Sequence, residues 1–207
     1  MPSGQPLVLA STSAARRALL DRLRIPYEAV SPTCDEDAIR GVSAEDTARL
    51  RALAKAESVA RERAGSVVIG SDQVVELEGE LIGKPGSDAA AEAQLARLAG
   101  REHRRVPAVA MVGPAVLARS RTDRREVARE PELATTVHRM SMRSLDSAEI
   151  GRYVAADDPS GCAGSYKVES LGIALFERIE GDDWTAIVGL PLLALSAMLR
   201  RAGYALP

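Results

Sequence analysis

At 207 residues, with 46% apolar and 27% charged side chains, the chain has the make-up of a soluble globular protein; one sizeable core and a single domain over residues 1–207 are expected. A net charge of −2 argues against a general nucleic-acid-binding surface, and no apolar run approaches the ~18 residues that would span a bilayer. Cys34 and Cys162 lie far apart without a CxxC pairing, and Met1 to Pro6 lacks the basic-then-apolar form of a signal peptide, so reduced thiols in a cytoplasmic protein are expected.

Leu7 to Ala10 is a strand-like apolar run followed by Ser11-Thr12-Ser13, and Leu19, Leu20 and Leu23 then recur at helical spacing behind Ser13 as N-cap. Arg16 and Arg17 in that helix's first turn oppose its macrodipole, a conflict that an anion bound at the free N–H groups relieves. Ser11, Ser13, Arg16 and Arg17 therefore read either as a phosphate-binding element or as solvated surface. Tyr27 to Val30 suits a second short strand. In the loop from Ser31 to Ile39, Asp35, Glu36 and Asp37 form either a solvated turn or the carboxylates of a hard divalent cation.

Ser43 to Asp46 has the form of a capping box for a helix to about Arg63, with Leu50, Leu53, Ala54 and Ala60 as its buried stripe. Lys55 falls off that stripe, toward a cleft or toward water. Val67 to Ile69 reads as a buried strand interrupted at Gly70, with Asp72 at the break, and Val74 to Leu77 then folds back on Leu81 and Ile82 as a hairpin closed by Lys84 and Pro85. An acid at a strand end and a lysine beyond a hairpin suit one anionic, metal-bound ligand, or else a turn and a solvated amine. Lys55, Lys84 and Lys167 are the only lysines, and a compact point charge suits a tight phosphate site.

Ser87 or Asp88 opens a helix through Leu98, with Gly100 as its stop. Val106 to Val112 suits a strand that Pro107 limits to an edge or a start; Gly113 to Glu130 reads as irregular; Leu133 to Met142 reads as a strand. Asp146 with Glu149 caps a short helix. Asp157 to Gly164 is a turn-rich loop leading to Ser165 to Glu169, Ile173 to Ile179 reads as a strand with Trp184 in the turn after it, and Pro191 opens a final helix to about Ala202. The alternation of strands and helices gives an α/β fold with a mixed sheet.

Six motifs in order and spacing resemble the Maf family of nucleoside triphosphate pyrophosphatases from Leu7 to about Gly203: Leu9-Ala10-Ser11-Thr12-Ser13 with Arg16-Arg17, Asp35-Glu36, Ala54-Lys55-Ala56, Gly70-Ser71-Asp72-Gln73, Gly83-Lys84-Pro85, and Cys162-Ala163-Gly164-Ser165-Tyr166-Lys167. Ser71-Asp72-Gln73, where Ala-Asp-Thr is commoner, and the run from Ser165 to Glu177 resemble the branch that hydrolyses 7-methyl-GTP. The resemblance implies a twisted mixed sheet flanked by helices, Maf/ITPase-like, with a cleft between two lobes. It implies cleavage between the α and β phosphates with Mg²⁺ or Mn²⁺, and a homodimer. By the same resemblance Asp72 accepts the proton of the attacking water, Glu36 and Asp72 serve the metal, and Arg16, Lys55 and Lys84 meet phosphate. Ser11, Ser13, Ala15, Arg17 and Lys167 fall on substrate-binding positions, and Gln73 and Glu169 on positions for base choice.

The chain departs from that pattern in places. Ala14-Ala15 stands where this branch has Pro-Trp, which removes an aromatic surface for a cationic base. His103 to Ala108 replaces a pattern nearer His-x-Val-x-Thr-Gly. A pyrophosphatase for UTP, CTP or a modified pyrimidine nucleotide is one alternative, and a nucleotide-binding regulator of cell division with weakened chemistry is another. His103 and His138 lack ligand-spaced neighbours and are expected to be structural rather than zinc ligands. Tyr166 and Trp184 suit either a base stack or the core.

Overall fold

β1 (Leu7–Ala10) is buried at all four positions because it lies between two parallel neighbours, β2 (Glu28–Val30) and β3 (Val67–Leu77), with helices over both faces. The computed structural model that shows this describes residues 5–113, 116–119, 124–127 and 130–207. Helix α1 (Ala14–Asp21) links β1 to β2, and α2 (Ala44–Ala60) links β2 to β3. The turn Glu78-Gly79, with φ of 53° and 86°, then returns the chain as β4 (Glu80–Ile82). After α3 (Asp88–Leu98), β5 (Glu102–Val112) pairs antiparallel with β3 from Val68 opposite Val112 to Glu76 opposite Arg104.

β6 (Val116–Arg119) and β7 (Arg124–Val127) form a separate two-stranded sheet, β8 (Glu132–Thr135) and β9 (His138–Met142) both pair with β5, and α4 (Ser147–Asp157) follows. β10 (Phe176–Glu180) joins β9, and α5 (Trp184–Val188) and α6 (Leu192–Arg201) end the chain. The main sheet has eight strands on the path β10-β9-β5-β3-β1-β2, with β4 on β3 and β8 on β5. It is mixed, as the alternation of elements predicts.

Two packed regions share the long strands. Leu9, Ile69 and Val109 meet Leu19, Leu20, Leu195 and Leu199 of α1 and α6 on one face, while the alanines of α2 cover the other. Farther along the same strands, Val75 and Leu77 join Leu95, Leu98, Met140, Tyr153 and Tyr166. The cleft described below lies where these regions adjoin.

Several expectations are corrected. β3 does not break at Gly70. It runs straight through Asp72, which stands mid-strand opposite Ala108. Gly70 is small for a different reason: a Cβ there would lie 2.1 Å from the carbonyl oxygen of Ala52 on α2. That close approach also corrects the buried stripe of α2, which is Ala48, Ala52, Lys55, Ala56 and Val59, while Leu50 is 45% exposed. Pro107 lies inside an interior strand, not at its start. Its carbonyl accepts from Thr136 N at 3.1 Å, so the missing N–H faces the same edge, where the partner of β5 changes from β9, up to Arg105, to β8, from Ala108.

The run from Leu133 to Met142 divides into two strands at that change, and residues 171–175 are a 3₁₀ segment before β10 rather than strand. The segment expected to be irregular contains β6 and β7; its residues 114–115, 120–123 and 128–129, and residues 1–4 of the amino-terminal reading, lie outside the described residues.

Gly70→Ala drives a methyl into backbone and is expected to cost about 3 kcal/mol, the upper range for overpacking. Gly79→Ala meets open space and carries only the strain of φ 86°, about 1 kcal/mol. Urea unfolding of the two variants measures the difference.

Candidate active site

The carboxyl end of β1 begins the site. Ser13 caps α1 by accepting from Arg16 N at 3.3 Å, and Ser11 Oγ accepts from Ser13 N at 3.2 Å and from Arg16 Nη1 at 3.5 Å. Arg16 Nε donates to the Gly189 carbonyl at 3.0 Å, so the guanidinium is anchored at both ends beside the α1 N-terminus. Loss of water around Arg16 lowers its pKa, while the Asp72 and then the Glu36 carboxylates act to raise it. Arg17, one residue on, is turned about 100° around the helix and is exposed, outside the cleft lining. The expected pair of arginines is therefore split.

Lys55 and Arg51, one turn apart on α2, face β3 together. Lys55 Nζ donates to Asp72 Oδ1 at 2.6 Å and is also paired with Glu36 Oε2, although Glu36 belongs to the loop after β2. Lys84, just beyond β4, donates to Glu36 Oε1 at 3.1 Å, and Arg51 Nη1 approaches Asp72 Oδ2 to 3.9 Å. Four segments thus converge through one lysine. Partial burial raises the Glu36 pKa, but the hydrogen bond and charge of Lys55, followed by those of Lys84, outweigh it and hold the carboxyl down to about 2. Asp72 is buried, and its Oδ2 has no hydrogen-bond partner.

The cleft around these groups measures about 620 Å³, the size of a small-molecule site. Ser11, Ser13, Ala15, Arg16, Glu36, Lys55, Asp72, Gln73, Lys84 and Glu169 all line it. Lys167 does not: its ammonium donates to the Asp157 carbonyl at the end of α4, which ties the loop from 157 to 170 together. Sequence reasoning missed Arg40, Arg51 and Arg105, which line the cleft as well. The spacing of Arg51 one turn before Lys55 was the available signal for the second of these; an arginine inside an apolar strand run was the signal for the third. Six cationic side chains face the cleft against four carboxylates, so it favours an anion.

Tyr166 is fully buried against Phe176 with its ring edge-on at 4.9 Å, and it also borders the cleft. Its hydroxyl lies 2.9 Å from His103 Nε2, and burial, then the charge of Arg105, pushes His103 down to about 4, so that imidazole is neutral. His138 is buried with Nε2 3.1 Å from the Asp183 carbonyl. Trp184 opens α5, is 46% exposed and does not line the cleft.

Over residues 6–202 the chain matches the family described as Maf-like protein. It is 44% identical over 202 residues to the 7-methyl-GTP pyrophosphatase of Xanthomonas oryzae pv. oryzae, spanning 97% of this chain and 98% of that protein. Proteins of the same name from Cupriavidus metallidurans and Aromatoleum aromaticum are 45% and 46% identical, spanning 96% and 97% of this chain and 94% and 97% of their own lengths. Among solved structures, the Staphylococcus aureus Ham1 protein overlays 67% of this chain and 72% of its own at 20% identity and a TM-score of 0.44.

Because the Glu36 carboxyl titrates lower in the fold than when unfolded, its pairing stabilises the protein fully above about 4.3 and is lost as pH falls through about 2. His103, neutral in the fold, contributes a separate loss from about 6.5 down to about 4, whatever residue 36 is. Glu36→Gln is therefore expected to flatten the fall in urea midpoint between about pH 4.5 and about pH 2 and to leave the fall above it unchanged.

Proposed function

The chain belongs to the Maf-like protein family, and from that premise we propose that its cleft hydrolyses a nucleoside triphosphate, in the class of 7-methyl-GTP, at the α–β phosphate linkage. The observation that carries the reading is Asp72 Oδ2, which among the described residues accepts no hydrogen bond and has only Arg51 Nη1 near it at 3.9 Å, buried beside a lysine held by two carboxylates in a cleft with excess positive charge. In this reading a water oxygen adds to phosphorus, the bridging P–O bond breaks, and nucleoside monophosphate and pyrophosphate leave. Asp72 takes the proton of that water at Oδ2. Lys55 aims Asp72, since the 2.6 Å hydrogen bond occupies Oδ1 and leaves the other oxygen without a hydrogen bond.

Arg16 and the free N–H groups of α1 suit phosphate oxygens at one end of the cleft, and Lys84, 62% exposed at its side chain, suits them at the other. Transfer of a phosphorus group needs little covalent help and much positioning and charge neutralisation, which these cations provide. Burial of Asp72 among them excludes bulk water and strengthens each contact.

The family also implies a divalent cation, and the donors fit one. Glu36 is held ionised, Asp72 has an oxygen that accepts no hydrogen bond, and Mg²⁺ uses one or two carboxylates with the rest of its shell from water and substrate phosphate. Glu36 and Asp72 would hold it; an ionised carboxylate has about four lone-pair sites, enough for Asp72 also to receive a proton. When bound, Mg²⁺ or Mn²⁺ withdraws charge from the phosphate oxygens. A homodimer in the cytoplasm completes the proposal; no helix among the described residues is long and apolar enough to cross a membrane.

Product analysis with Mg²⁺ or Mn²⁺ and 7-methyl-GTP, GTP and UTP is the test. Monophosphate and pyrophosphate are expected, with turnover reduced by at least about 100-fold in Asp72→Asn, the scale of a lost general base. Orthophosphate instead would overturn the cleavage site, and binding without turnover would make the protein a nucleotide-binding regulator.

A further inference from the structure

The side chains linked by ion pairs at the centre of the cleft are three cations, Lys55, Lys84 and Arg51, and two carboxylates, Glu36 and Asp72. The close contacts engage both lysines. Lys55 Nζ donates to Asp72 Oδ1 at 2.6 Å and pairs with Glu36 Oε2, and Lys84 Nζ donates to Glu36 Oε1 at 3.1 Å. Arg51 is the surplus cation. Its one ion pair among the described residues is with Asp72 Oδ2, 3.9 Å from Nη1 and too far for a hydrogen bond.

Arg51 is nevertheless held in place. Its Nε donates to the Ile39 carbonyl at 3.2 Å, on the loop that carries Glu36, and its side chain is 11% exposed, whereas Arg49 and Leu50 beside it on α2 face solvent. That bond orients the guanidinium. Among the described residues neither Nη has an acceptor at hydrogen-bond distance, and the side chain lines the cleft. An arginine keeps its charge, so a guanidinium largely withdrawn from water with few acceptors is costly until an anion reaches it. The position lies outside the six motifs that carry the family resemblance.

What reaches Arg51 follows from Asp72. In the hydrolysis proposed above the attacking water gives its proton to Asp72 Oδ2, so the attacked phosphorus lies one water molecule beyond that oxygen. A water oxygen about 2.9 Å from both Oδ2 and Arg51 Nη1 fits beside the 3.9 Å line that joins them. The nucleophile then touches the guanidinium, and the phosphorus it attacks brings its oxygens against the remaining Nη donors. As the water adds, negative charge gathers on those oxygens, and a donor already in place stabilises it without reorganisation. We propose that Arg51 is a further catalytic residue, a guanidinium built into α2 that orients the water and neutralises the charge developing on the attacked phosphate. It neither gives nor takes a proton. The role rests on the pyrophosphatase reading of the cleft.

Arg51→Ala tests it, since alanine suits a helix interior and the lost side chain leaves a space open to the cleft. The substrate is whichever of 7-methyl-GTP and GTP the unmodified protein cleaves faster with Mg²⁺. In the variant, kcat for pyrophosphate release is expected to fall about 100-fold, the scale of one lost transition-state donor, with KM within about 3-fold. The α,β-methylene analogue of that nucleotide cannot be cleaved at the α–β linkage, and its calorimetric affinity is expected to change by less than about 3-fold. Guanidinium chloride below its unfolding range is expected to raise kcat severalfold in Arg51→Ala and not in the unmodified protein. Arg49→Met, on the exposed side of α2, is expected to leave kcat unchanged. Should Arg51→Ala not fold, Arg51→Lys, which retains a charge but not the fork, is expected to lower kcat about 10-fold with KM held.

An unchanged kcat in Arg51→Ala, a loss confined to KM and analogue binding, or a lost kcat that guanidinium does not raise would overturn the role. The two readings fail distinguishably. Pyrophosphate released at one kcat by both proteins removes Arg51 and keeps the hydrolase; no pyrophosphate from the unmodified protein removes the hydrolase and the role of Arg51 with it.

Discussion

The ammonium of Lys55 sits in the middle of this protein, shared between Asp72 on the sheet and Glu36 on a loop. A charge this far from water is costly unless it is paired, and losing one partner of such a group typically costs 3–5 kcal/mol, on the order of half a domain's stability. The arrangement therefore demands that α2 lie close against β3. That closeness comes from the smallest side chains available: Gly70 on the strand, and Ala52 and Ala56 on the helix, where backbone meets backbone. The same packing that forms the core brings a lysine and a carboxylate within hydrogen-bonding distance, so stability and chemistry share one interface.

Around that interface the sheet changes character. On one side of β3, β1 and β2 run parallel to it, connected by helices, and their carboxyl ends open toward α1 with its serine-capped, arginine-bearing first turn. On the other side they run antiparallel, and β5 exchanges one neighbour for another at Pro107. The end of the cleft with Arg16 and the α1 N-terminus belongs to the parallel half, where helix N-termini and strand ends meet. The end with Gln73, Arg105 and Tyr166 belongs to the antiparallel half, where side chains stand side by side on a ladder and hold fixed relative positions. A nucleotide has the same division, an anionic chain joined to a base with a hydrogen-bonding edge.

Much of this was legible along the chain. The strand at Leu7, the caps at Ser13, Ser43, Ser87 and Asp146, and the hairpin after Val74 are local signals, set by backbone and near neighbours, and they appear in the fold within a residue or two. Lys55 and Lys84 could be nominated because lysines are rare among the arginines, and Glu36 and Asp72 from an acidic loop, an expected strand end and the family resemblance. The stripe of α2 was misread because alanine is a weak hydrophobic signal, and leucine spacing points to the other face. Gly70 was misread as a break because a glycine in a strand looks the same whether the chain bends there or a helix presses on it.

The sequence by itself determined the order of most elements, their caps, the mixed sheet and the identity of the ionisable residues available for chemistry. Only the tertiary structure decided which of them meet. Arg16 enters the cleft and Arg17 leaves it, Lys167 is taken up by a carbonyl, and Arg51 and Arg105 join from α2 and β5. The physical reason is that a side chain's direction follows from its own element, but its partners follow from register and packing between elements remote in sequence. Lys55 and Asp72 are 17 residues apart, and Ser71 donates to the carbonyl of Gly189 118 residues away. No periodicity within one segment encodes such distances; the close contact of α2 with β3 and the register of β3 with β5 do.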